Sequence, residues 1–212
     1  MTAPTVSKTR LVLLASALAA AALSSACAPL VVGGAMVGTA LMATDRRTSG
    51  MQVEDQGIEL KAANRLREQL GDRVNINVNS YNRIVLISGQ APTEADRAAA
   101  ERLVAQVENV SRVINEVTVG FKSSLSSRSN DVLIATKVKA SLVDARDLIS
   151  NAFYVVVERG VVYIMGRVTE REIHRATEIA RGVAGVQKVV RAVEIISEEE
   201  LARITPQAPA SK

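Results

Sequence analysis

The chain has no tryptophan, one histidine and one cysteine, and only two phenylalanines and three tyrosines among its 212 residues. Each scarcity closes a class. A single cysteine, Cys27, forbids an intrachain disulfide, so packing alone must hold the fold even in an oxidising compartment. With His174 as the lone imidazole, neither a Cys/His nor a Ser/His/Asp arrangement has an obvious base, and metal sites built on several His and Cys ligands are excluded. No catalytic residue, metal ligand or cofactor is assigned, and the chain is not read as an enzyme. The shortage of aromatic rings removes the stacking platforms on which single-stranded nucleic acid lies. The formal charge of +4 also falls to +2 once Lys8 and Arg10 are set aside, so nucleic acid is not an expected partner.

What is present begins with an export pattern. Lys8 and Arg10 precede an uncharged run from Leu11 to Leu23, and Ser24-Ser25-Ala26 supplies the small residues that a signal peptidase requires. Cys27 sits directly after them, the position at which a bacterial lipoprotein is cut and lipidated. Residues 1–26 are read as a signal peptide and residues 27–50 as the lipidated cysteine with a flexible tether. The uncharged stretch Ala28 to Thr44 contains Pro29, Gly33, Gly34 and Gly38. It falls short of the roughly 20 apolar residues of a spanning helix.

From residue 51 the sequence repeats itself at an offset of 76 to 77. Asp55, Ile58, Lys61 and Leu66 recur as Asp131, Ile134, Lys137 and Leu142, and Gly89 recurs as Gly166. Thr93-Glu94 recurs as Thr169-Glu170, while Val107, Val110, Val113 and Val117 recur as Val183, Val186, Val189 and Val193. Each unit predicts helix, strand, strand, helix, strand. Ile58, Ala62 and Leu66 share one helical face, whereas Val74, Ile76 and Val78 alternate with Asn75, Asn77 and Asn79 as in a half-buried strand. Tyr81-Asn82 and Arg159-Gly160 are the expected hairpin turns. Thr93 and Thr169 stand three residues before an acid, the spacing of a helix cap. The second helices bury Ala100, Leu103, Val104 and Val107, and Ala176, Ile179, Ala180 and Val183. The expected fold class is α+β: two tandem αββαβ domains, residues 51–121 and 122–196, each a three-stranded mixed sheet with two helices on one face. A tail follows over residues 197–212.

Two αββαβ units of this length, each with a glycine before its second helix and a V-x-x-V-x-x-V run into its last strand, resemble BON domains. The lead-in Thr44-Asp45-Arg46-Arg47, the stretch Asn130-Asp131 to Lys137-Val138, and Met165-Gly166-Arg167-Val168-Thr169-Glu170 are similar to the dual-BON lipoproteins of the outer membrane. That resemblance implies a protein anchored through Cys27 to the inner leaflet of the outer membrane and facing the periplasm, with a part in membrane integrity and in maintenance at division sites. Ala28 behind the cysteine, rather than Asp, resembles the signal that permits transfer to the outer membrane.

Residues 51–121 hold 8 basic and 10 acidic side chains, whereas residues 122–196 hold 12 and 8, so a charged partner is expected on the second half. In its first helix Ile134, Val138 and Leu142 must face the sheet. That turns Val132, Leu133, Thr136, Lys137, Lys139, Ala140 and Val143 outward. The first unit has Gly57 where Leu133 stands and Ala63 where Lys139 stands. Exposed aliphatics beside lysines suit the interface of an anionic bilayer, the aliphatics entering the acyl boundary while the ammonium groups reach phosphate. In the dual-BON lipoproteins the corresponding helix binds phosphatidylglycerol, and a tryptophan stands where this chain has Leu133. The alternative expectation is an adaptor whose exposed sheet faces dock an envelope or cell-wall enzyme regulator, with the lipid serving only as anchor.

Overall fold

The computed structural model describes residues 45–204. The leader, Cys27 and most of the tether lie outside them, so the lipidation site is not among the described residues.

The first domain runs α1 (Ser49–Leu70), β1 (Asn75–Tyr81), β2 (Ile84–Ala91), α2 (Glu94–Ala105) and β3 (Arg112–Val119). The second repeats it as α3 (Leu125–Asp144), β4 (Tyr154–Glu158), β5 (Val161–Val168), α4 (Glu170–Arg181) and β6 (Lys188–Ile195), and a short α5 (Glu198–Ile204) follows. In each sheet the second strand is central, antiparallel to the first and parallel to the third. The α+β reading, with mixed sheets and helices on one face, is therefore what the chain adopts.

The two helix–sheet cores use the stripes expected of them. Ile58, Ala62 and Leu66 are buried with Val85, Ile87, Ala100 and Val104 in the first domain. Ile134, Val138 and Leu142 are buried with Val162, Ile164, Ala176 and Ala180 in the second. Thr93 accepts from the Asp96 amide, and Thr169 with Glu172 forms a complete capping box.

The first hairpin turn lies one residue later than the sequence suggests. Tyr81 still pairs with Ile84, and the turn is Asn82-Arg83, both in the left-handed region, as are Arg159 and Gly160 in the second. Positive φ at both central residues matches the twist of the flanking strands. The repeated glycines lie inside the strands rather than at their ends, Gly89 opposite Ile76. There a Cβ on Gly89 would stand 2.1 Å from the Asn75 carbonyl oxygen, and one on Gly166 would stand 2.3 Å from that of Ala152.

The sheet faces turned away from the helices are covered at their centres. Tyr81, Leu86, Tyr163, Met165 and Ala192 form a third buried cluster, flanked by Ile114, Val156, Val161 and Val190. Side chains alternate along a strand, so Val85 and Ile87 point to the helices of the first domain while Leu86 points to the second domain. The result is a four-layer stack of helices, sheet, sheet and helices. The adaptor expectation gave most weight to exposed sheet faces; the centres of these faces are instead buried against each other, because Leu86 of β2 and Tyr163 and Met165 of β5 are apolar on the side away from the helices.

Polar groups fill the margins of this contact. Asn75 donates to Gln90, whose amide donates to Glu158 at 2.6 Å, and Glu158 also accepts from Ser123 and Asn77. Asn82 donates to Glu194, and the Tyr154 hydroxyl donates to Asn79 at 3.3 Å. The asparagine face of β1, which alternation assigns to solvent, thus borders the second domain. Burial, and next the nearby Asp45 carboxylate, push the Tyr81 hydroxyl up to about 12.

Residues 45–50, placed with the tether by composition, belong to the folded body. Arg46 reaches Glu172 and the Arg167 carbonyl, Arg47 bridges Asp45 and Asp55 and stacks 4.1 Å from the Tyr81 ring centroid, and Thr48 caps α1. Both cores, the layer between the sheets and every ion pair described are built from residues 45–204. A fragment spanning 45–212 therefore contains every contact made among the described residues, and it coincides, Thr44 apart, with one compact unit of the chain.

Candidate functional site

Helix α3 lies on the outside of the four-layer stack. It starts at Ser124, whose hydroxyl accepts from the Ser127 amide, and it packs on β4 and α4. Its buried positions are Asp131, Ile134, Val138 and Leu142. At about 100° per residue the proposed lipid-facing residues fan across the opposite side of the helix. Lys139, Val132 and Val143 lie together at one flank, Thr136 and Ala140 in the middle, and Leu133 and Lys137 at the other flank. All seven are exposed, with Val132 at 65%, Leu133 at 59% and Val143 at 66%. Packing of Leu133 beneath the first domain does not occur. Among the described residues Lys137 and Lys139 make no ion pair, and the Thr136 hydroxyl donates back to the Val132 carbonyl. The helix therefore shows a half-turn of aliphatic surface with an unpaired cation at each edge.

The orientation of α3 is set by a buried carboxylate. Asp131 accepts from the amides of Arg159 and Gly160, both at 2.8 Å, which ties the helix to the β4–β5 turn. Asp55 does the same for the first domain, accepting from the amides of Asn82 and Arg83, the Ser80 hydroxyl and Arg47. The recurrence of this aspartate is visible in the sequence, but its task is not, because the turn it holds is 28 residues away. Beside Val132 a crevice of about 270 Å³ opens between α3 and β1. Arg128, Asp131 and Glu158 all line it, so it carries more negative than positive charge, unlike the lysine-bearing side of the helix.

Sequence reasoning missed two exposed apolar side chains at the N-terminal side of α3. Leu125 shares the stripe of Val132 and Val143, being seven residues before Val132, and Phe121 precedes the helix in the linker. Both are exposed. Extending the seven-residue spacing back by one step would have found the leucine.

The described residues contain no cluster of three or more His, Cys, Asp or Glu able to hold a metal, and no described helix is long and apolar enough to cross a membrane. His174 lies exposed on α4, 3.6 Å from Glu178.

The BON domain matches residues 54–120 and 130–197, one copy on each αββαβ unit. The chain belongs to the BON-domain family. Among proteins carrying this domain it is 36% identical over 168 residues to the outer membrane lipoprotein DolP of Haemophilus influenzae, covering 78% of this chain and 86% of that one. It is 34% identical to the 21 kDa hemolysin of Actinobacillus pleuropneumoniae, over 72% of this chain and 79% of that one. Against an uncharacterized protein of Anaplasma centrale the identity is 28%, over 68% and 95% of the two chains. Among solved structures, a C-terminal domain of CdsD from the Chlamydia trachomatis type III secretion system aligns over 63% of this chain and 96% of its own at 10% identity. Its TM-score is 0.29, and it carries no argument about this BON pair.

Proposed function

We propose that this protein is a lipid-anchored, non-enzymatic component of the outer membrane, facing the periplasm, whose second BON domain binds anionic phospholipid through the outer face of α3. Likeness to an outer membrane lipoprotein supports the location, and Cys27 behind its uncharged run supplies the anchor. One observation carries the lipid reading: Val132, Leu133 and Val143 stand in solvent between Lys137 and Lys139, and nothing described neutralises either lysine. Aliphatic side chains at the acyl boundary with ammonium groups level with phosphate satisfy both halves of this surface at once.

The helix alone binds weakly, each cation near an anionic surface contributing about 1 kcal/mol within a Debye length of about 8 Å. The anchor changes the regime, because a tethered helix meets the bilayer at high effective concentration. Such a protein senses the charge of the leaflet that holds it, and this fits a role in maintaining membrane integrity, including at division sites. The corresponding face of α1 has Gly57 and Ala63 and lacks the pairing of apolar tip with extra lysine.

Flotation of the 45–212 fragment with phosphatidylglycerol vesicles tests the reading. Wild type should float, and Leu133→Glu and Lys137→Glu should remain at the bottom of the gradient. Equal flotation of both variants rules out this face, and a fragment that ignores lipid yet retains an envelope protein through Lys137→Glu favours the adaptor.

A further inference from the structure

The two most exposed apolar side chains near α3 lie at its N-terminal end. Phe121 is 92% exposed and Leu125 is 81% exposed. The only other phenylalanine, Phe153, is buried in the second core.

Exposure of a ring usually accompanies a loose backbone, and here the backbone is held from both domains. The Gly120 amide donates to the Ala91 carbonyl at 2.9 Å, and Arg159 donates to the Phe121 carbonyl at 3.0 Å. The Lys122 ammonium donates to the Asp72 carbonyl at 2.6 Å, and the Ser123 amide donates to Gln90 Oε1 at 3.0 Å. Four bonds on four consecutive residues keep this linker in place while the ring stays in water. Leu125 stands at the start of α3 on the same longitudinal stripe as Val132 and Val143. The apolar stripe therefore reaches the helix start, with Phe121 four residues before Leu125 in the chain, and the exposed Arg128 lies one turn on, lining the crevice that also holds Asp131 and Glu158.

We infer that Phe121 and Leu125 are the part of this surface that enters the acyl boundary of an anionic bilayer. The inference rests on the lipid-binding reading of α3 and specifies its depth. Lys137 and Lys139, exposed and without an ion pair among the described residues, supply the charge complementarity that selects a negatively charged leaflet over an uncharged apolar partner. A ring at the membrane interface is an effective anchor. In this chain the interfacial ring comes from the linker, because the helix itself holds no aromatic residue.

The absence of tryptophan provides the probe. Phe121→Trp in the 45–212 fragment places one indole in the molecule, and an unchanged thermal transition confirms the fold. Vesicles of phosphatidylglycerol and phosphatidylcholine are added while co-sedimentation and emission are followed together. The expected result is sedimentation with a blue-shifted emission that brominated acyl chains quench. Phe121→Ser with Leu125→Ser should weaken sedimentation by on the order of a hundredfold or more, each large apolar side chain kept in water accounting for about tenfold. Sedimentation with unmoved emission overturns the insertion and leaves the α3 reading standing. Failure to sediment overturns both. A blue shift that appears without vesicles and grows with protein concentration assigns the patch to a second copy of the chain and overturns the insertion.

Discussion

Arg46 and Glu172, 126 residues apart, meet in a two-pronged ion pair, with Nη1 and Nη2 at 2.8 and 2.7 Å from the two carboxylate oxygens and both side chains about 95% buried. The same carboxylate accepts the Thr169 amide in the capping box of α4. One glutamate thus caps a helix of the second domain and ties down the segment that leads into the first.

That pair makes stability depend on acid. Burial opposes the Glu172 charge, but the Arg46 guanidinium and the Thr169 amide outweigh it and hold the carboxyl below its ordinary value. A depressed carboxyl contributes stability above the unfolded value, about 4.3 for Glu, and loses it as pH falls through the folded value. Glu172→Gln should therefore cost stability at pH 7 and flatten the acid limb below about pH 4, as read by urea unfolding across pH. Arg46→Ala should cost about 3 kcal/mol or more, since it leaves a buried charge unpaired.

Asp131 is a fold residue of α3 without being part of its exposed face. Asp131→Asn exchanges a double acceptor for a group with only one oxygen, and should lower stability by about 1.5–3 kcal/mol. Asp55→Asn should cost more, because Arg47 also loses one of its two carboxylate partners. Chemical denaturation measures both, and a cost below about 0.5 kcal/mol in each would remove the turn clamp from this account.

Gly89→Ala and Gly166→Ala should each prevent accumulation of folded protein, because the Cβ meets a carbonyl oxygen of the neighbouring backbone at 2.1 and 2.3 Å. The test is soluble yield with circular dichroism. Gly57→Ala on α1, where nothing lies within 4 Å, is the control and should be neutral or stabilising.

The layer between the sheets should couple the domains. Tyr163→Ala removes a buried ring from it and should cost about 3–5 kcal/mol. Calorimetry should show one transition for the wild type and two for the variant, and one transition in both would remove the layer as the link. Ser88, whose hydroxyl is buried without a hydrogen-bond partner, should tolerate Ser88→Ala at no cost or with a gain of about 1 kcal/mol.

Leu133→Trp should tighten binding to phosphatidylglycerol vesicles by roughly tenfold, by adding an interfacial ring to a helix that has none. Unchanged affinity would mean that Leu133 does not touch the bilayer.

The periodicity alone determined the two αββαβ units, their helix caps and the stripes that line each core, since these depend on neighbours within a turn or a pleat. The outward face of α3 was legible for the same reason: fixing Ile134, Val138 and Leu142 inward leaves the rest of the helix no other direction. Only the tertiary structure decided how the units meet. Leu86, Tyr163 and Met165 sit on strands apolar on both faces, a pattern equally compatible with an exposed docking surface, and the pairing of one sheet with the other is a property of distant segments. The roles of Arg46, Asp131 and Gln90 were hidden likewise. A charge or amide finds its partner in space, and spacing along the chain records only those partners that lie on the same element.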